Sequence, residues 1–149
     1  MNPSTKPKRV LFLCTGNSAR SQMAEALLRH IGEGRFSVFS AGTSPRAQVH
    51  PDAVQTLERH SVPAEGLVPK DVASFSGQSF DYVITLCDRA REVCPAFGSA
   101  EMMHWTFRDP AEAEADVASR RSAFDKVFAG LSQRVRFLII VDEKKSIPQ

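Results

Sequence analysis

Apolar residues run without a break from Val10 to Cys14, and a run this short predicts a buried strand of a parallel sheet over 9–14. A small, polar turn follows, and then the spacing changes. Met23, Ala26, Leu27 and Ile31 recur at helical intervals, predicting a helix over 22–31 that stops at Gly32 and Gly34. Residues 36–41 predict a second strand, closed by Gly42. Pro51, at a first-turn position, opens a helix through His60 with Val54 and Leu57 on one face. Between Val62 and Gly77 the signals are mixed, and only a short helix near 72–75 is predicted. Residues 82–86 form the next clear strand, ending at Cys87, and 102–105 a weaker fourth. From about Asp116 to Ile140 a stripe of Val117, Phe124, Val127, Phe128, Leu131, Val135 and Leu138 predicts one long helix.

Strands alternating with helices imply a single α/β domain over 9–149, preceded by a flexible N-terminal tail over 1–8. Its core is a central four-stranded parallel sheet with helices on both faces. Active sites in such sheets gather beyond the carboxyl ends of the strands. Cys14, Cys87 and the loop holding Asp109 all follow predicted strands, so all three should converge on that edge.

Composition narrows the chemistry. The 149 residues are 42% hydrophobic and 24% charged, an ordinary globular balance. A net charge of +2 with scattered basic residues gives no case for nucleic acid, and no apolar run is long enough to span a membrane. The expected compartment is the cytoplasm, and the expected assembly a monomer. Three cysteines, an odd number, do not make a secreted disulfide framework; in a reducing compartment they point to chemistry or metal.

Cys14 and Arg20 bracket five residues, of which Thr15, Gly16, Ser18 and Ala19 are small. Small residues between a strand and a helix let successive backbone N–H groups turn inward as an anion nest, and the helix adds its positive end. The oxyanion-binding set is therefore Thr15, Gly16, Asn17, Ser18, Ala19 and Arg20, whose guanidinium suits two oxygens of a tetrahedral anion. The same field favours a Cys14 thiolate able to attack that anion. Ser21 can donate a hydrogen bond to the sulfur, and Asn17 can brace the loop through its amide. The bland alternative is a buried thiol ending a strand with Arg20 on a solvated helix face.

These residues carry a family resemblance. Val10-Leu-Phe-Leu-Cys-Thr-Gly-Asn-Ser-Ala-Arg-Ser-Gln-Met-Ala-Glu-Ala resembles the N-terminal signature of the low-molecular-weight tyrosine phosphatase superfamily, and within it the arsenate reductases. The likeness continues through Ser40-Ala-Gly, Thr85-Leu-Cys-Asp and His104-Trp to Asp109-Pro-Ala. It implies a phosphatase-like fold and arsenate as substrate.

Cys87 and Cys94, with six residues between them, do not have the tight spacing of a zinc knuckle, and either could be an ordinary buried thiol. The functional alternative is a relay: a second thiolate attacks Cys14 and expels a reduced product, and a third moves the disulfide outward. Arg89 and Arg91 would help hold Cys87 or Cys94 as thiolate. The resemblance implies Cys87 as the second cysteine and Cys94 as the last, exposed one, with a rearrangement of the segment between them. It also implies Asp109 as the acid that protonates the departing oxygen. No bound cofactor is then needed: electrons come from thioredoxin or another thiol reductant, with glutaredoxin and glutathione or mycothiol as alternatives. In some related enzymes potassium binds near the loop, and here Asn17, Glu25, Ser40 and Asp71 match. Ala19 stands where a second loop cysteine is common. Ala111 stands where the phosphatase pattern has tyrosine, and the chain's single tyrosine, Tyr82, lies inside a strand. Both a tyrosine phosphatase and a non-catalytic oxyanion-binding module remain as alternatives. The histidines His30, His50, His60 and His104 read as surface or loop residues, and Trp105 as core.

Overall fold

The computed structural model describes residues 6–94, 97–112 and 116–145. Four strands, β1 (Lys8–Cys14), β2 (Phe36–Gly42), β3 (Tyr82–Thr85) and β4 (Glu101–His104), form one sheet in the order β2-β1-β3-β4. All three pairings are parallel. The register sets Cys14 beside Gly42 and Thr85 beside His104, so the strands deliver their carboxyl ends to one edge.

The helices α1 (Arg20–Gly32), α2 (Pro51–Arg59), α3 (Asp88–Val93) and α4 (Val117–Lys145) cover both faces. Alternation along β1 explains how. Val10, Phe12 and Cys14 point into a cluster with Met23 and Leu27 of α1, Leu57 of α2, and Phe124, Leu131 and Val135 of α4. Leu11 and Leu13 point the other way, against Phe75, Phe80, Ala90 and Phe97. That second face is covered by a 3-10 turn, Val72–Phe75, and by α3. Because β1 is covered on both faces, Val10–Leu13 are all fully buried, which is why the sequence runs apolar without alternation. Each such side chain contributes about 1.5–3 kcal/mol by leaving water.

The expected α/β architecture is thus present, with differences at the ends of elements. Lys8, read as tail, is already in β1 and pairs with Phe36; Met1 to Thr5 lie outside the described residues. Helix α1 begins at Arg20 rather than Gln22, because the anion loop runs straight into it. Helix α3 was not expected: its residues carry no apolar stripe, and its Ala90 joins the core. Helix α4 continues to Lys145, past the last periodic apolar residue. There Tyr82 donates its hydroxyl to Asp142 Oδ1 at 2.7 Å, and Lys145 Nζ meets the Glu101 carboxylate at 2.8 Å. An inward-facing carboxylate replaces an apolar side chain in that turn, so hydropathy gives no sign of it. Burial, followed by the bond to Asp142, pushes the Tyr82 phenol well above its ordinary range.

Removing that phenol leaves the Asp142 carboxylate short of a donor. Tyr82→Phe should lower stability by about 1–3 kcal/mol, read as a shift in the urea midpoint, with phosphate binding at the far sheet edge unchanged.

Candidate active site

Beyond the carboxyl edge of the sheet, Cys14 to Ala19 fold into a tight loop whose peptide groups share one orientation. The Thr15 carbonyl accepts from Ser44 N at 2.9 Å, Gly16 from Arg46 N at 2.9 Å and Ser18 from His50 N at 2.8 Å. The Asn17 carbonyl accepts from Gln22 Nε2 at 3.0 Å. A peptide is planar, with its N–H opposite its C=O. Four consecutive carbonyls held on the outside therefore turn the N–H groups of Gly16, Asn17, Ser18 and Ala19 to the inside. Helix α1 adds its first turn, since Ala19 at its N-cap makes no side-chain capping bond. The result is a nest of backbone donors with the Cys14 thiol, 2% exposed, at its floor.

Asn17 holds the loop in this shape. Its backbone is left-handed, at φ 47°, a conformation that asparagine tolerates better than most residues. Its side-chain oxygen accepts from Lys70 N at 2.8 Å, which fixes the amide's orientation because a backbone N–H can only donate. The amide nitrogen then donates to Ser21 Oγ at 2.7 Å and to Ser40 Oγ at 3.0 Å. With its oxygen accepting from Asn17, Ser21 has its own proton left for Cys14 Sγ, 2.9 Å away. Ser40 passes its proton to Glu25 Oε1 at 2.7 Å. Asn17 thus donates both ways: one arm ends on the Glu25 carboxylate, and the other ends with a donor at the sulfur.

Gly42 closes the back of the loop. A Cβ there would lie 2.6 Å from the Thr15 carbonyl oxygen and 3.0 Å from Asn17 N, and both neighbours are backbone. No side chain fits.

Arg20 and Asp109 meet above the nest. Arg20 Nη1 donates to the Phe107 carbonyl at 2.9 Å, and Nη2 lies 3.8 Å from Asp109 Oδ2. The other Asp109 oxygen accepts from Ala111 N at 3.0 Å. On the far wall, Cys87 Sγ lies 3.3 Å from the Thr15 hydroxyl. Cys14, Arg20, Cys87 and Asp109 thus line one cavity of about 690 Å3, together with Ser44, Arg46, Arg89, Arg108 and Glu112. Phe107 is the aromatic among the lining residues, and its ring packs against Gly130 of α4, where a Cβ would be 2.7 Å away.

A model of the low molecular weight phosphotyrosine protein phosphatase family matches residues 9–146. The chain belongs to that family. An arsenate reductase of Halalkalibacterium halodurans is 35% identical over 130 residues, covering 87% of this chain and 93% of its own. A glutaredoxin arsenate reductase of Synechocystis is 31% identical, over 89% and 96% of the two chains. Among solved structures, a thioredoxin-dependent arsenate reductase of Corynebacterium glutamicum superposes with a TM-score of 0.77 at 27% identity. That match takes in 96% of this chain but only 65% of the longer Corynebacterium chain.

Several sequence expectations about this family site meet a different geometry. Cys94, expected as the exposed last cysteine, does not line the cavity. It is half-buried against the second core cluster beyond α3, and burial raises its pKa. The four residues read as an ion cradle divide. Asn17, Ser40 and Glu25 form the hydrogen-bonded line above, whereas exposed Asp71 caps the 3-10 turn through Ala73 N. Side chains supply the positive charge facing Glu25: Arg29 at 2.8 Å and the Lys70 ammonium at 3.9 Å. Burial lowers the Lys70 pKa, with Glu25 opposing the shift. Among the described residues no group of three His, Cys, Asp or Glu is placed to hold a metal ion. His104 is no loose surface group either, since its ring nitrogens meet Thr85 Oγ1 at 2.7 Å and Thr106 Oγ1 at 3.1 Å. Trp105 packs on Phe12 at 5.8 Å between ring centroids.

Sequence reasoning missed Gln22, the Lys70 amide, Arg46 and the Phe107 carbonyl. Gly42→Ala tests the loop's shape directly. The added methyl meets backbone that cannot step aside, so stability should fall by about 1–3 kcal/mol. Phosphate binding, followed by calorimetry, should fall at least tenfold.

Proposed function

We propose that the protein is an arsenate reductase that reduces arsenate to arsenite through a cysteine relay. The observation that carries this reading is the second thiol, Cys87, held by the Thr15 hydroxyl at the wall of the cavity whose floor is Cys14. A phosphatase of this family leaves its adduct to water and has no use for a thiol there. Among the described residues Phe107 is the lining aromatic, its ring packed against Gly130 of α4, and Tyr82 is buried beside Asp142 rather than in the cavity.

In the first step the Cys14 thiolate, with Ser21 donating to it, attacks the arsenic of an arsenate held by the loop N–H groups and Arg20. Asp109 supplies the proton with which one oxygen leaves as water, giving a Cys14–arsenate adduct. Cys87, as thiolate, attacks Cys14 Sγ. A sulfur–sulfur bond forms, the sulfur–arsenic bond breaks with its electron pair staying on arsenic, and arsenite departs. Cys94 then attacks the Cys87 sulfur, freeing Cys14 and leaving a Cys87–Cys94 disulfide. Two electrons from an external dithiol restore the reduced protein. Thioredoxin is the proposed donor, with a glutaredoxin and glutathione or mycothiol as the other arm of the assay. The cytoplasm, a reducing compartment, suits the scheme, and no described helix is long and apolar enough to cross a membrane.

The test combines arsenate, thioredoxin, thioredoxin reductase and NADPH. Arsenate-dependent NADPH oxidation should be lost in Cys14→Ser, Cys87→Ser and Cys94→Ser, and one turnover without reductant should leave a Cys87–Cys94 disulfide by mass spectrometry. Hydrolysis of a phenyl phosphate that survives Cys87→Ser, with no arsenate reduction, would sink the reading.

The raised Cys94 pKa gives the last step its own signature. Only thiolate attacks, and burial keeps Cys94 protonated above the ordinary cysteine range of about 8.5. Formation of the Cys87–Cys94 disulfide in a single turnover should therefore still be accelerating between about pH 8 and pH 9.5. A rate already flat by about pH 8 would mean that Cys94 attacks from a more exposed position than the one described.

A further inference from the structure

The cavity holds more positive charge than the loop needs. Four arginines line it, Arg20, Arg46, Arg89 and Arg108, against two carboxylates, Asp109 and Glu112. Arg20 already has Asp109 beside it. Among the described residues Arg46, Arg89 and Arg108 are exposed and face no carboxylate within ion-pair distance, so their charge is left to whatever enters the cavity.

Arg46 differs from the other two in being fastened to the loop. Its backbone N–H donates to the Gly16 carbonyl, and its side chain lies directly over Gly16. A Cβ on Gly16 would come within 3.1 Å of Arg46 Nε, 3.2 Å of Cγ and 3.3 Å of Cδ. The absence of a side chain at Gly16 is what lets the arginine lie there. The stem rests on the nest, and Arg46 lines the same cavity as Arg20 and Asp109. A cation placed in advance gives up little freedom when an anion arrives. A guanidinium also stays charged at every pH where the thiols react.

We propose that Arg46 is a second oxyanion-binding residue, holding doubly charged tetrahedral oxyanions at the mouth of the Cys14 loop. It rests on the reading of that loop as an oxyanion site, and it assigns part of the affinity to a residue outside the loop. Position over Gly16 makes Arg46 a determinant of substrate charge. It favours a dianion over a monoanion.

Calorimetry of inorganic phosphate with the reduced protein tests this without any reductase chemistry. Arg46→Met keeps the packing over Gly16 and removes the charge. It should weaken phosphate about tenfold at low salt, a difference of about 1.4 kcal/mol, and the gap to the parent should narrow in about 0.5 M salt. Arg46→Lys should recover most of the loss. Arg136→Met, on the exposed face of α4, should stay within about twofold of the parent. In steady state Arg46→Met should raise KM for arsenate while kcat changes less than about twofold. Phosphate affinity in Arg46→Met within twofold of the parent would overturn the inference, as would an equal loss in Arg136→Met. A parent that binds no phosphate would overturn both this inference and the oxyanion reading beneath it. An Arg46 effect on phosphate in a protein that does not reduce arsenate would uphold this inference and remove only the proposed activity.

Discussion

Four peptide groups facing the same way are the constraint on which the pocket depends. Aligned N–H dipoles with no partner repel one another, and a chain left to itself would turn some of them over. Here the carbonyls of residues 15 to 18 are each occupied from outside, by the backbone after β2 and by Gln22, so no peptide can turn without breaking a bond elsewhere. The left-handed backbone at Asn17 and the bare Cα of Gly42 are what this geometry requires of the sequence. Each is a local cost that the surrounding fold offsets.

The same network sets the environment of the Cys14 thiol. Because Lys70 N fixes the Asn17 amide, and that amide fixes the Ser21 oxygen as an acceptor, the Ser21 proton is directed to sulfur from a distance of 53 residues along the chain. The far end is the buried Glu25 carboxylate, which Arg29 and Lys70 face with positive charge. Breaking any link would leave a buried polar group without its partner, so the line stabilises the loop and orients Ser21 at once.

How much of this could be read from sequence follows from how local each part is. Strand 9–14, the small-residue loop and the helix after it occupy adjacent positions, and their order alone placed the nucleophile and Arg20. The convergence of Cys87 and Asp109 on the same edge followed from parallel topology, though the acid role of Asp109 came from resemblance, since an Asp-Pro pair is more often a plain turn. Contacts across long separations left no signature. Arg20 meets Phe107 across 87 residues, and Arg46 sits in a Ser-Pro-Arg-Ala stretch whose only pattern is that of a turn. Helix α3 escaped because a six-residue element is too short for an apolar period to show. Cys94 stands at its C-terminal end, half-buried against the second core cluster.

That placement bears on how the relay has to run. Cys14 belongs to the cluster on the α1 and α4 face of the sheet, and Cys94 packs against the cluster on the opposite face. Cys87 touches both. It follows the end of β3, which lies next to β1. A disulfide passed from Cys14 to Cys87 and on to Cys94 therefore moves from one side of the sheet to the other. The intermediate cysteine must serve a partner on each side. Its contact with Thr15 holds it toward Cys14, and its departure from that contact is what the third thiol needs. Helix α3, which separates the two thiols, is the element whose loosening would release it.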